Sequence, residues 1–257
     1  MPKTMKLILT AVFFIFPFLT RASDFNDPKF YTIVEVSGEI TLVGEKSGLP
    51  LVPELNVKNS AAKTGPAAAG AIVNTGAALW NVITNGAPSG SAASAYASAV
   101  PGWFFSWPNF IEWKGPKEIQ YEVKMKNLYR MTVIHVIYAI SFYYGGVDNK
   151  QEYKGNYIAN FTVRPLKVKI WKGFNFSLQT KMSDPMNIGT KDNPVAYLQS
   201  DLNWMYSTPF KAEGGTWIYG IDGNGNFKEL TDPEFKAGPI NLPQLETELK
   251  EANVSWE

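Results

Sequence analysis

The sequence predicts a mainly β fold: an antiparallel β-sandwich, or a partly closed barrel, with one longer helix near residues 66–84 and a short C-terminal helix. One observation predicts the strands, and their length then predicts the layers. Large apolar side chains recur at every second position in several segments between residues 118 and 206, and this is the period of a half-buried strand. Strands of this length bury an apolar face only against a second layer, which favours a sandwich or barrel.

The central strand is predicted over residues 131–144, a run without glycine, proline or aspartate. Its β-branched and aromatic content, and Gly145-Gly146 after it, favour a strand over a buried helix. Its bulkier face is predicted to lie in the core, and this face carries Thr132, Ile134, Val136, Tyr138, Ile140, Phe142 and Tyr144. The opposite face is softer and partly polar, so we expect it to be only partly covered.

Neighbouring segments repeat the alternation and supply the other strands. They are residues 118–126, 168–178, with a bulge near Gly173, and 196–206. Residues 127–130 have the length of a hairpin connection between the first of these and the central strand. Two further hairpins are predicted, one over residues 31–43 with its turn at Ser37-Gly38 and one formed by residues 216–221 and 226–230.

The longer helix is predicted inside a low-complexity segment rich in Ala, Gly and Ser, residues 60–99. Pro66 suits a first turn and Asn85-Gly86 a helix end, while Ile72, Leu79 and Ile83 fall on one side. We interpret it as a packing helix, and the alternative is a helix that inserts into a membrane or partner. Residues 87–99 are predicted to be a loop. The short C-terminal helix is predicted over residues 243–252, with an apolar stripe of leucines.

The N-terminus has the pattern of a secretory signal peptide over residues 1–22. Lys3 and Lys6 precede an uncharged apolar run, Leu7–Leu19, and Ala22 offers a small residue at the cleavage position. The run is short for a membrane anchor. We therefore expect an exported protein, periplasmic or extracellular and soluble after cleavage, with residues 23–257 as a single domain.

Charge and cysteine content narrow the function classes. Removal of residues 1–22 takes away three basic residues and leaves 21 Lys and Arg against 23 Asp and Glu. A chain so close to neutral lacks the basic excess of a nucleic-acid-binding protein. There is no cysteine, so disulfides, thiol catalysis and cysteinyl metal sites are excluded.

The most unusual local composition is an aromatic stretch between residues 103 and 113, interleaved with prolines. Prolines argue against a regular element here. One interpretation is a loop folded over the open end of the core. The other, which we take as the candidate binding site, is an exposed platform for a sugar, a lipid headgroup or a partner protein. The candidate residues are Trp103, Phe104, Phe105, Trp107, Phe110 and Trp113.

Residues with catalytic or metal-binding chemistry are few. The single histidine, His135, lies mid-strand, and no phosphate-binding, metalloprotease or nucleophile-elbow motif occurs. Paired carboxylates could serve a glycan hydrolase, with Glu112, Glu122 and Asp201 available. Asp222, Asn224 and Asn226 match the first oxygen-ligand spacings of a calcium loop, but Phe227 and Pro233 break the motif. The alternative is a hairpin turn, and no cofactor is expected.

The predicted function is therefore that of an exported, non-enzymatic binding or structural protein. It would use the aromatic stretch to contact a protein, a glycan or a membrane surface, and no nucleic acid. Two alternatives stay open at this point: a membrane-active, pore-forming-like sandwich protein, and a carboxylate-dependent glycan hydrolase.

Overall fold

The computed structural model describes residues 27–45, 71–102, 110–148 and 155–231. These residues form two antiparallel sheets packed together as a β-sandwich, which confirms the predicted fold class. The predicted signal peptide, the C-terminal helix at 243–252 and residues 103–109 of the aromatic stretch lie outside the described residues. No helix in the described part of the chain is long and apolar enough to cross a membrane.

The first sheet contains the longest strands. Its strands, in spatial order, are β1 (Ile33–Glu45), β7 (Lys114–Asn127), β8 (Thr132–Asp148), β9 (Tyr157–Ile170), β5 (Ala97–Pro101) and β2 (Ile72–Asn74), and β6 (Phe110–Ile111) pairs with one end of β8. The β7–β8 hairpin closes through residues 128–131, one position later than the predicted connection at 127–130. Before β1, a single helical turn, α1 (Pro28–Tyr31), is capped by the Asp27 carboxylate.

The second sheet covers the first. Its spatial order is β14 (Phe227–Glu229), β13 (Ala212–Asp222), β12 (Ala196–Ser207), β10 (Asn175–Met182), β3 (Leu79–Thr84) and β4 (Ala87–Pro88), and β11 (Met186–Asn187) pairs with β12. The predicted last hairpin is confirmed as β13 and β14. A 3₁₀ turn, Gly90–Ala93, lies between β4 and β5.

The core lies between the sheets and has the composition that the alternation predicted. On β8, Ile134, Val136, Tyr138, Ile140 and Phe142 are fully buried, and the opposite face is partly covered. Each sheet contributes large aromatic side chains to one continuous cluster. Because aromatic side chains bury large areas, they account for much of the apolar surface removed from water.

The predicted helix is wrong over the residues that the structure describes. Residues 72–74 and 79–84 are strands β2 and β3. Asn85 and Gly86 both have positive φ and join Thr84 to its pairing partner Ala87. This is the geometry of a two-residue type I′ hairpin turn, which Asn-Gly favours, so the dipeptide ends a strand and not a helix.

Three local predictions are also corrected. Residues 33–45 form one continuous strand, so Ser37-Gly38 is not a turn. The predicted loop at 87–99 contains β4, the 3₁₀ turn and most of β5. The predicted strand at 168–178 is broken by a turn at residues 171–174, where Gly173 has a φ of +89°, a conformation that glycine adopts without strain.

Candidate functional site

Two members of the predicted aromatic site are described, and both pack inward. Phe110 is buried, and its ring meets Tyr157 edge-on with centroids 5.5 Å apart. Trp113 is half-buried and lies 6.2 Å from the Phe110 ring. These two residues therefore contribute to the core. Binding by Trp103, Phe104, Phe105 and Trp107, which lie outside the described residues, stays a prediction.

The three candidate calcium ligands form a hairpin turn. Asp222 Oδ1 accepts hydrogen bonds from the backbone N–H groups of Asn224 and Asn226 at 2.9 and 3.0 Å. Asn226 Nδ2 donates to Asp222 Oδ2 at 2.8 Å, and Asn156 Nδ2 donates to Asn224 Oδ1 at 3.0 Å. Both carboxylate oxygens therefore stabilise the turn. Within the described ranges, no three His, Cys, Asp or Glu side chains are grouped to hold a metal ion.

His135 is half-buried on the outer face of the first sheet, away from the core. Its Nε2 lies 2.6 Å from Glu122 Oε1, and Lys124 Nζ lies 2.9 Å from the other oxygen of the same carboxylate. These hydrogen bonds, from Lys124 first and from His135 second, lower the pKa of Glu122. The histidine thus belongs to a cross-strand surface network, not to a cleft.

The described part of the chain holds a cleft that the sequence did not predict, between the β1 edge of the first sheet and the β13–β14 edge of the second. We call it the edge cleft. It encloses about 480 Å³ and is lined by Val36, Ser37, Gly38, Ile40, Tyr121, Trp217 and Glu229. Pockets that combine apolar walls with a few polar groups are the usual form of a ligand site.

One wall of the edge cleft is the inner face of β1, which carries Val36, Gly38 and Ile40. Gly38 pairs with Val123 and Ile40 pairs with Tyr121, and both partners point into the core. Residues opposite each other in a ladder share a face, so Gly38 and Ile40 also point inward. The Ile40 side chain is nevertheless 39% exposed. The described residues of the second sheet therefore cover it only in part.

Gly38 is required at its position by the ring of Tyr121. A Cβ atom on Gly38 would lie 2.8 Å from Cε1 of Tyr121 and 2.9 Å from its hydroxyl oxygen. The Tyr121 ring is held from its other sides by Tyr138, stacked at 5.3 Å, and by Trp217 at 5.6 Å. A glycine inside a strand often marks the close approach of another group. Gly38 is therefore the one feature of the sequence that indicated a contact at this position.

The electrostatics of the edge cleft are set by Glu229. It is the only acidic or basic side chain in the described lining. Burial, followed by the negative charge of Glu229, raises the pKa of Tyr121 to about 12. Burial also raises the pKa of Tyr138 and Tyr219 well above the ordinary value, with Glu229 contributing. The tyrosine hydroxyls are therefore neutral, and Glu229 supplies the acidic group of the described lining.

The described lining of the edge cleft does not match the glycan-hydrolase alternative. A glycosidase needs two carboxylates on either side of the scissile bond, and the edge cleft has one among its described residues. Glu122 lies on the outer face of the first sheet, in the His135 network, and Asp201 accepts a hydrogen bond from Gln199. The described cleft therefore gives no support to paired-carboxylate chemistry.

Comparison of the chain with protein-family models, with curated proteins and with solved structures gave no match.

Proposed function

We propose that this protein is an exported, non-enzymatic binding protein and that its ligand occupies the edge cleft. The observation that carries the proposal is the cleft itself, with the Glu229 carboxylate beside the side chains of Tyr121 and Trp217. A polar group that fixes orientation, set among apolar walls, is the usual composition of a recognition site. Export rests on the signal-peptide pattern of residues 1–22.

Rigidity supports the same proposal. The walls of the cleft belong to strands in the middle and at the edge of two packed sheets, and Tyr121 is held by stacked neighbours. A site built on such elements loses little conformational freedom when a ligand binds. The edge cleft is thus suited to binding a ligand without rearrangement.

The test is ligand-observed NMR with the mature protein and three probe sets: neutral oligosaccharides, alkylammonium compounds and short peptides. The variant Ile40→Trp replaces an aliphatic side chain by a large aromatic one, which should fill part of the cleft. Val73→Trp is the matched control, since Val73 is also 39% exposed and lies on β2, at the opposite end of the same sheet.

We expect at least one probe set to give saturation-transfer signals with the wild type and with Val73→Trp, and to lose them with Ile40→Trp. Circular dichroism of both variants checks that the sandwich is intact. If no probe binds, or if every probe binds the Ile40→Trp variant as well as the wild type, the edge cleft is not the binding site.

A further inference from the structure

The strand β1 presents a long hydrogen-bonding edge. It pairs with β7 on one side and with no described strand on the other. Its residues Glu35–Leu42 pair with Lys126–Ile119 in continuous register, and irregularities occur only before and after this stretch. In an antiparallel ladder, alternate residues point their N–H and C=O groups away from the paired strand. Such an edge can accept one more extended chain.

The same stretch lacks the features that usually protect an edge. Proteins block exposed edges with lysine, proline, bulges or inward-pointing charges. Residues 35–42 contain no lysine and no proline, and their inward positions are Val36, Gly38 and Ile40. The two glutamates, Glu35 and Glu39, point to the outer face. Within the described residues, nothing therefore blocks strand addition to this edge along the edge cleft.

An added strand would place side chains in the edge cleft. Residues paired across a ladder share a face, so every second residue of a strand beside β1 points inward with Gly38 and Ile40. The cleft, with about 480 Å³ of space, has room for such a side chain, and Glu229 belongs to its described lining. Lysine and arginine suit this space, because their aliphatic stems pack on apolar groups such as Ile40 while the charged end reaches an anion.

We propose that the ligand is an extended peptide segment of another protein, which adds to the first sheet as a strand beside β1 and inserts a lysine or arginine side chain into the edge cleft toward Glu229. The proposal rests on the proposed binding function of this cleft and names its ligand class. Backbone hydrogen bonds to β1 supply affinity, and the pocket for one basic side chain supplies selectivity.

The test uses synthetic nonapeptides of alternating threonine and valine that carry lysine, norleucine or glutamate at the central position. Their binding to the immobilised mature protein is measured by biolayer interferometry. We expect the lysine peptide to bind about tenfold more tightly than the glutamate peptide, because attraction to a partly exposed carboxylate is replaced by repulsion of similar size. Glu229→Gln should abolish most of this preference.

Glu118→Gln is the matched control for the charge change. Glu118 lies on β7, next to the inward-pointing Ile119, so it faces the outer side of the sheet. This variant should keep the full preference for the lysine peptide. A preference lost equally in Glu118→Gln and Glu229→Gln would assign the effect to the overall charge of the protein and overturn the proposal.

Two backbone-methylated lysine peptides test strand addition without changing the protein. One carries N-methyl groups on its odd-numbered residues and the other on its even-numbered residues. Methylation removes the N–H donor, so only the peptide methylated on the residues that face β1 should lose binding. Equal binding of both methylated peptides, or binding of the lysine peptide to Ile40→Trp as tightly as to the wild type, would contradict pairing along β1.

If the β1 edge is occupied by something other than a peptide of another protein, the measurements should give different results. A concentration-dependent dimer that Ile40→Trp dissociates would assign the edge to a second copy of this chain. Slow hydrogen exchange at every amide of residues 35–42 in the free monomer would show that the chain itself covers the edge. Either result overturns the proposal. If no nonapeptide binds while another probe set still requires an open cleft, peptide addition fails and the binding function stands.

Discussion

Replacement of Gly38 by alanine probes the contact that shapes the edge cleft. The new methyl group would lie 2.8 Å from Cε1 of Tyr121, well inside van der Waals contact. The ring cannot move toward the core, because Tyr138 stacks on it at 5.3 Å and Trp217 lies 5.6 Å away. The substitution therefore forces the ring or the β1 backbone to shift.

The expected size follows from two opposing effects. Forcing an extra methyl group into a filled position costs about 1–3 kcal/mol. Replacing glycine by alanine restricts the unfolded chain and stabilises the folded state by about 0.4–1 kcal/mol. We expect a net loss of about 1–2 kcal/mol in the free energy of unfolding, with a fall in melting temperature of about 2–4 °C per kcal/mol for a chain of this size.

Urea denaturation followed by tryptophan fluorescence measures this loss. Gly90→Ala is the control, since nothing lies within 4 Å of a Cβ at Gly90, and it should be neutral or slightly stabilising. In a Tyr121→Leu background the clash is removed, so Gly38→Ala should cost almost nothing, and the double-mutant cycle should give a clear coupling. A Gly38→Ala variant as stable as the wild type would refute the packing argument.

Four further results are expected. Tyr138→Phe should lower the free energy of unfolding by about 0.5–1.5 kcal/mol in urea, since it removes the buried 3.1 Å hydrogen bond to Tyr219. Phe110→Ala should cost about 3–5 kcal/mol by the same measurement, because the ring is buried against Tyr157. Added Ca²⁺ should leave the melting temperature unchanged, since Asp222 is used within its own turn; a rise abolished by Asp222→Ala would contradict this. Tyr121 has a folded-state pKa of about 12, above the ordinary value near 10, so its contribution to stability should be present below pH 10 and lost as the pH rises through 12. The difference in phenolate absorbance between the wild type and Tyr121→Phe should then show one tyrosine that ionises near pH 12 in the folded protein, and a difference that appears near pH 10 would contradict the burial argument.

The strands of the core could be predicted because one of their faces is covered along its whole length. On β12, buried and partly exposed positions alternate without interruption from Ala196 to Trp204. The sequence there alternates in the same way except at Ser200, which is polar and buried. Where a strand is covered on one face by a second sheet, burial imposes the period of two directly on residue choice.

The helix prediction failed where this period breaks. Val82 and Ile83 are consecutive, and both are fully buried, because the pairing of β3 with β10 has an irregularity at this point. Without strict alternation, Ile72, Leu79 and Ile83 fit a helical stripe as well as two short strands. The Asn85-Gly86 dipeptide did not decide between them, since it suits both a helix end and a type I′ turn.

The edge cleft could not be predicted because its residues come from distant parts of the chain. Gly38, Tyr121 and Glu229 lie on β1, β7 and β14, and only the order of strands in the two sheets brings them together. Locally, Ser37-Gly38 has the composition of a turn. The reason for glycine is a contact with a side chain more than eighty residues away, and the glycine alone does not show which residue it contacts.

NMR of the uniformly ¹⁵N-labelled mature protein, titrated with the lysine nonapeptide, tests most directly whether a basic peptide binds in the edge cleft. We expect the largest amide shift changes at residues 36–40 and at Glu229, with saturation as the peptide binds. Changes centred on Phe110 and Trp113 would place the binding site elsewhere, and no changes at millimolar peptide would contradict strand addition beside β1.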